Sequence, residues 1–146
     1  MVKIESSLVI NRPVEEVFAF VSNYENLPRW RSIALEVKKT TEGPSRVGTS
    51  YTGKFSFLGL PFEGVFEVIE HEPSRKCTIK TTTRPFPLET RYSFEPVENA
   101  TRLTFVSEGS PGGFFKLAEP LVASMGKRLF EADLHNLKEL LEAQAL

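Results

Sequence analysis

Residues 48–71 read GTSYTGKFSFLGLPFEGVFEVIEH, and this stretch decides the fold. Tyr51, Gly53, Phe55 and Phe57 alternate with Ser50, Thr52, Lys54 and Ser56, the period of two that a half-buried strand requires. Leu58-Gly59-Leu60-Pro61 supplies a turn. Phe62, Gly64, Phe66 and Val68 then alternate with Glu63, Val65, Glu67 and Ile69. Two amphipathic runs across a Gly/Pro turn predict an antiparallel hairpin with one aromatic face.

The same period extends in both directions. Downstream, residues 76–83 set Cys77, Ile79, Thr81 and Thr83 against Thr78, Lys80 and Thr82. Residues 88–96 and 101–108 follow, with inward sets Leu88, Thr90, Tyr92, Phe94 and Leu103, Phe105, Ser107. Arg84-Pro85-Phe86-Pro87 cannot be a central strand, because two prolines remove two ladder donors. Upstream, Ile33, Leu35 and Val37 alternate with Ala34, Glu36 and Lys38, and residues 2–10 alternate as a first strand. Between these two lie helical signals. Pro13 opens a turn carrying Glu15 and Glu16, Val14, Val17, Phe18 and Val21 form one stripe, and residues 24–30 read as a second short helix or turn.

After Gly109-Ser110-Pro111-Gly112-Gly113 the spacing becomes helical to the end. Phe114, Leu117, Leu121, Met125 and Leu129 form one stripe, and Phe130, Leu134, Leu137 and Leu141 a second, while Pro120 marks a kink or a start. The order is β-α-α-β6-α. It predicts an α+β fold in which a curved antiparallel sheet of about seven strands wraps around a long C-terminal helix.

Composition narrows the function classes. The 146 residues include 12 Phe, 3 Tyr and 1 Trp, and the predicted inward face of the sheet carries no Asp, Glu, Lys or Arg. The length fits a single domain spanning 1–146. Lys plus Arg number 18 against 19 Asp plus Glu, for a net charge of −1, so there is no basic excess for nucleic acid. A lone cysteine, Cys77, fits a reducing compartment. With neither a signal segment nor a membrane-length apolar run, the expected location is cytoplasmic.

Several pieces, in order, resemble one superfamily. They are Ile10-Asn11-Arg12-Pro13-Val14-Glu15-Glu16-Val17-Phe18, then Leu27-Pro28-Arg29-Trp30, then Phe66 through Arg75, then Thr101-Arg102-Leu103, and finally Leu137 through Glu142. Together they make the chain similar, over nearly its whole length, to the START-related (SRPBCC) helix-grip proteins, which include polyketide cyclase/dehydrase-like members. That resemblance implies a deep hydrophobic cavity between sheet and helix. It fixes no single activity, because members transfer lipids, bind hormones, present quinones, cyclise polyketides or regulate partners. No catalytic residues carry over.

The residues expected to line the cavity are Trp30, Tyr51, Phe55, Phe66, Tyr92, Phe94, Phe105, Leu121 and Met125. Tyr51 and Tyr92 would orient the polar end of a ligand, or else be core tyrosines with satisfied hydroxyls. Gly53 and Gly64 would leave room, although the phenylalanines could instead fill the interior. Leu60, Phe86 and Phe114 are expected at the cavity mouth. These apolar lips also suit transient contact with a membrane or a protein, the basis of a third reading as an interaction module. Arg128 would imply an acidic ligand head group if it pointed inward. His71 and His135 lack metal-ligand spacing, and Cys77 has no basic neighbour to make a thiolate. The expected function is therefore non-catalytic binding or carriage of a hydrophobic small molecule, with no metal and no cofactor. The alternative is a cyclase, dehydratase or aromatase using a tyrosine as acid. Monomer and homodimer both stay open.

Overall fold

The computed structural model describes residues 2–57, 59–81, 88–109 and 119–143. Its elements are β1 (Val2–Ile10), α1 (Val14–Val21), a 3-10 turn (Tyr24–Asn26), α2 (Leu27–Trp30), β2 (Ala34–Lys39), β3 (Ser50–Phe57), β4 (Leu60–Glu72), β5 (Lys76–Thr81), β6 (Leu88–Val97), β7 (Ala100–Gly109) and α3 (Glu119–Glu142). The strands form one seven-stranded sheet in the order β1-β7-β6-β5-β4-β3-β2. Every neighbouring pair is antiparallel. The helix-grip architecture read from the sequence is what the chain adopts.

Connectivity gives the sheet two distinct ends. Phe57 and Leu60, Thr81 and Leu88, and Gly109 with its partner Val2 all lie at one end, here called the lip. Ile10, the turn after Glu72 and the Val97–Ala100 turn lie at the other, the floor. Since β1 and β2 are the two edges, the segment joining them must cross the sheet. In doing so α1 packs on β6 and β7, and α2 on β2 and α3. Helix α1 forms because Pro13 presets its entry and Glu15 and Glu16 suit its first turn, and it buries Val17, Phe18, Phe20 and Val21.

Helix α3 has 24 residues, so it is about 36 Å long, and Pro120 is its second residue, where a missing N–H breaks no helical bond. Of the two options read for Pro120, the helix takes the start. Its packing on β1 is close because Gly126 abuts Ile4: a Cβ at 126 would lie 2.6 Å from Ile4 Cδ1. Lower down, Lys138 Nζ donates to Val9 O at 2.7 Å and Glu142 Oε2 accepts from Asn11 N at 2.8 Å. These bonds pin the helix to the floor end of β1.

Simple alternation fails at two bulges. In β2 the register shifts between Ala34 and Glu36, so Leu35, expected on the inward face, is 61% exposed while Ala34 is buried. In β4 it shifts between Val68 and Glu70. One extra residue reverses every later side chain. Ile69 is thereby extruded, and His71 lies edge-on to Phe18 with a centroid distance of 5.2 Å.

Candidate functional site

Inward-facing residues grow less buried toward the lip along β1, β3, β4, β5 and β6. On β3, Tyr51 and Gly53 are buried and Phe55 half-buried; on β4, Val68, Gly64 and Phe66 are buried, Phe62 half-buried and Leu60 exposed. On β5 the change runs from Cys77 to Ile79 and Thr81, on β6 from Phe94, Tyr92 and Thr90 to Leu88, and on β1 from Ile10 to Leu8, Ser6 and Ile4. Helix α3 repeats the pattern: Phe130, Leu134, Leu137 and Leu141 are buried, whereas Leu121 and Met125 are 61% and 41% exposed. Among the described residues the sheet and helix thus form a cup, closely packed at the floor and more exposed toward the lip.

Interlocked rings seal the floor. Tyr51 stacks on Phe66 at 5.2 Å, and Tyr24 from the 3-10 turn sets its edge against both, at 5.4 and 5.8 Å. Phe18 of α1 covers Phe94 at 5.1 Å. Higher up, Trp30 meets Tyr92 at 6.0 Å, Tyr92 meets Phe105 at 5.3 Å, and Phe130 of α3 closes on Phe105 at 4.0 Å. Such edge and offset contacts are the favoured aromatic geometries. Gly53 and Gly64 do not leave empty space. The Phe55 ring lies over the pair, so that a Cβ on Gly53 would meet it at 2.6 Å and one on Gly64 at 3.5 Å. Freed of clash by the missing side chains, Phe55 folds back and stacks on Phe62 at 5.5 Å.

The nine expected lining residues therefore occupy three zones. Tyr51, Phe66 and Phe94 belong to the floor, Trp30, Tyr92 and Phe105 to the middle, and Phe55, Leu121 and Met125 to the lip. Leu60, expected at the mouth, is exposed there. Phe86 and Phe114 lie outside the described residues, as do the whole Pro85-Phe86-Pro87 and Gly113-Phe114-Phe115 lips. Arg128 is exposed on α3, so it gives the interior no charge.

Sequence reasoning missed the ion pair at the centre. Arg31, at the end of α2, is 6% exposed, and Asp133 of α3 is 1% exposed. Arg31 Nε donates to Asp133 Oδ2 at 2.9 Å, and Ser32 N donates to Asp133 Oδ1 at 3.2 Å. The guanidinium carbon sits 3.8 Å from the Phe130 ring centre and 5.8 Å from those of Phe105 and Trp30. The interior is therefore not purely apolar, as the sheet face alone implied. A signal existed: Asp133 falls on the apolar stripe, three residues after Phe130 and four before Leu137. A carboxylate there demands a cationic partner.

Other inward polar groups have local partners. Tyr51 Oη donates to Ser45 Oγ at 3.0 Å, and Thr90 Oγ1 shares a 3.2 Å hydrogen bond with Ser107 Oγ. Tyr24 Oη is fully buried, with the Cys77 thiol as its polar neighbour. Burial raises all three tyrosines: Tyr24 well above the ordinary phenol range, Tyr51 more modestly, and Tyr92 up to about 12 against the opposing pull of Arg31. Burial also pushes the Cys77 thiol up to about 12, so the buried Cys77 is inert. These are the chain's 3 tyrosines, and an acid whose folded pKa is raised stabilises the fold below its unfolded pKa of about 10. That stabilisation is lost as pH climbs from about 10 through the folded values. Absorbance at 295 nm should show at most one of the three phenols ionised at pH 11, with the others ionising in an alkaline step coincident with loss of far-UV circular dichroism. Two or more phenols titrating near 10 with the dichroism intact would contradict this burial.

On the outer face, Glu36, Lys38, Thr52, Lys54, Glu63 and Val65 surround a hollow of about 310 Å³ beneath the glycine pair. Its charged lining is unsuited to an apolar ligand. Among the described residues no cluster of His, Cys, Asp and Glu is arranged to hold a metal ion, and no helix is long and apolar enough to cross a membrane.

Residues 1–142 match the family described as polyketide cyclase / dehydrase and lipid transport, and the chain belongs to that family. Solved structures share its fold. A Thermus thermophilus protein superposes with a TM-score of 0.83 at 17% identity, covering 99% of each chain. The Zhui aromatase/cyclase from a Streptomyces species gives 0.80 at 12% identity, over 99% of this chain and 95% of that one. A START superfamily protein from Mycobacterium smegmatis gives 0.72 at 17% identity, over 97% and 95%. No curated protein matches the sequence.

Proposed function

We propose that this protein binds or carries a hydrophobic small molecule, a lipid, quinone, polyketide or similar compound, in the cup between sheet and α3. The observation that carries the proposal is the loss of burial along one uncharged aromatic face, from a sealed floor to the half-exposed Phe55, Phe62 and Leu88. Water at such side chains is replaced on ligand entry, a gain of about 25 cal/mol per Å² of apolar surface covered. Phe55, Leu121 and Met125 would contact the ligand body, and Trp30, Tyr92 and Phe105 its deeper end. The chain would act as one soluble domain in the reducing cytoplasm, consistent with its single buried cysteine. Native mass spectrometry of gently purified protein should reveal a co-purifying apolar molecule. The fluorescence of added N-phenyl-1-naphthylamine, a neutral apolar dye, should rise saturably. Absence of both would remove the proposal.

A cyclase, dehydratase or aromatase activity is the second reading, and Tyr92 favours it. Its phenol, held protonated up to about 12 beside Arg31, is equipped to donate a proton or hydrogen bond to a ligand oxygen but not to act as a base at neutral pH. Turnover abolished by Tyr92→Phe with ligand retention intact would establish the enzyme. Tyr51 is the weaker candidate because its hydroxyl is engaged by Ser45.

A further inference from the structure

Two glycines stand directly opposite one another on the inward face, Gly53 of β3 and Gly64 of β4. Glycine inside a strand weakens it, and it marks a bulge, a backbone that needs positive φ, or a close approach by another group. The β3–β4 register runs unbroken from Ser50 to Phe57, so neither glycine marks a bulge. The positive-φ glycines among the described residues are Gly43, Gly48 and Gly59, so neither is there for its backbone. What approaches the pair is the Phe55 ring. A Cβ on Gly53 would lie 2.6 Å from Phe55 Cε2 and Cζ, and one on Gly64 would lie 3.5 Å from Cε2. The two glycines form a seat, and a side chain of the same strand sits in it.

That occupant is held on one side only. Phe55 is half-buried, whereas Tyr51 and Phe66 toward the floor are buried. Its near-parallel stacking partner at 5.5 Å, Phe62, is itself half-buried, and the Phe66 ring centre lies farther off at 6.4 Å. On a strand the χ1 wells near 180° and −60° are both common, so a second rotamer carries the ring toward the lip without moving the backbone. The space it vacates is a flat apolar bay, with bare glycine backbone beneath and the Phe62 and Phe66 rings beside it.

We propose that Phe55 is an internal placeholder: its ring fills the Gly53–Gly64 seat while the cup is empty and yields that seat to the apolar body of a ligand. This rests on the ligand-binding proposal above and adds the conformational step by which the guest gains its space. The step is a population shift, in which the ligand binds the ring-out form and selects it. Apolar surface uncovered as the ring leaves is covered again by the guest that replaces it.

Proton nuclear Overhauser spectra test the placeholder, with N-phenyl-1-naphthylamine as the guest. In the free protein the Phe55 ring protons should show cross-peaks to the α-protons of Gly53 and Gly64. Saturating dye should abolish both and put cross-peaks from the glycines to the dye in their place. Gly53→Ala should unseat the ring with no ligand present. Its new methyl meets the flexible end of Phe55 on one side and a backbone atom, Glu36 O, at 3.1 Å on the other, so the ring is what moves. Gly64→Ala is the control, since its methyl meets the ring at an ordinary contact distance and the cross-peaks from Phe55 to Gly53 should persist. The wild-type measurement stands whether or not either variant folds. A Phe55 ring that keeps its glycine contacts in dye-saturated wild type, or stays over Gly64 in Gly53→Ala, would overturn the placeholder while leaving ligand binding standing. Wild-type protein in which the dye's fluorescence does not rise would overturn the ligand-binding proposal and the placeholder with it.

Discussion

Asp133→Ala is expected to cost about 3–5 kcal/mol, the penalty for stranding one member of a buried pair. In a domain of this size that lowers Tm by roughly 10 °C. The carboxylate does three things at once: it balances Arg31, accepts from Ser32 N and ties α3 to the α2–β2 junction. Removing it leaves a guanidinium that is 6% exposed and faces Phe130 at 3.8 Å, with no route to water short of local unfolding. Arg31→Met/Asp133→Leu should recover most of the loss, because well-packed apolar replacements often equal or exceed a buried pair in stability. Glu16→Ala is the internal control. Its pair with Arg12 is the better formed, at 2.7 Å through both prongs, yet it is partly open to solvent, and its loss should change the melt little. Chemical denaturation of the four proteins decides the matter. A wild-type-like Asp133→Ala would mean that Arg31 is hydrated and the centre of the cup is wet.

The fold was legible because alternation and helical spacing are local signals. Tyr51 to Phe57 and Phe62 to Val68 announce a hairpin without knowledge of anything else, and Pro120 announces the entry to α3. What parity could not reveal are the bulges at Leu35 and Ile69, since an inserted residue looks like any other until its partner strand is known. Of the candidate site, only the sheet side was legible. The inward placement of Tyr92 and Phe105 follows from alternation along β6 and β7. Arg31 and Asp133 are 102 positions apart and meet only when α2 and α3 converge, so no spacing rule joins them. The glycine pair misled for a related reason. Gly53 and Gly64 are small in sequence, but their neighbour Phe55 fills the space over them, a compensation that depends on a rotamer.

The same chemical deletion should cost different amounts along this one aromatic face. Phe105→Ala removes a fully buried ring held by Tyr92 at 5.3 Å, Phe130 at 4.0 Å and the Arg31 guanidinium at 5.8 Å. Lost transfer energy and the cavity left behind together predict about 3–5 kcal/mol. Phe62→Ala, on the same face but half-buried against Phe55 at 5.5 Å, removes about half that contact and should cost about 1–1.5 kcal/mol. Ligand binding should rank differently: Phe62→Ala weakens N-phenyl-1-naphthylamine severalfold by stripping the lip, out of proportion to its small effect on the melt. Rings that only fill a core would show binding and stability falling together, or no binding to lose. A steep fall in cost from Phe105 to Phe62, with the binding defect concentrated at Phe62, is what a cup open at one end requires. Equal costs at the two positions would mean a face packed to its lip, and a protein with no room for a guest.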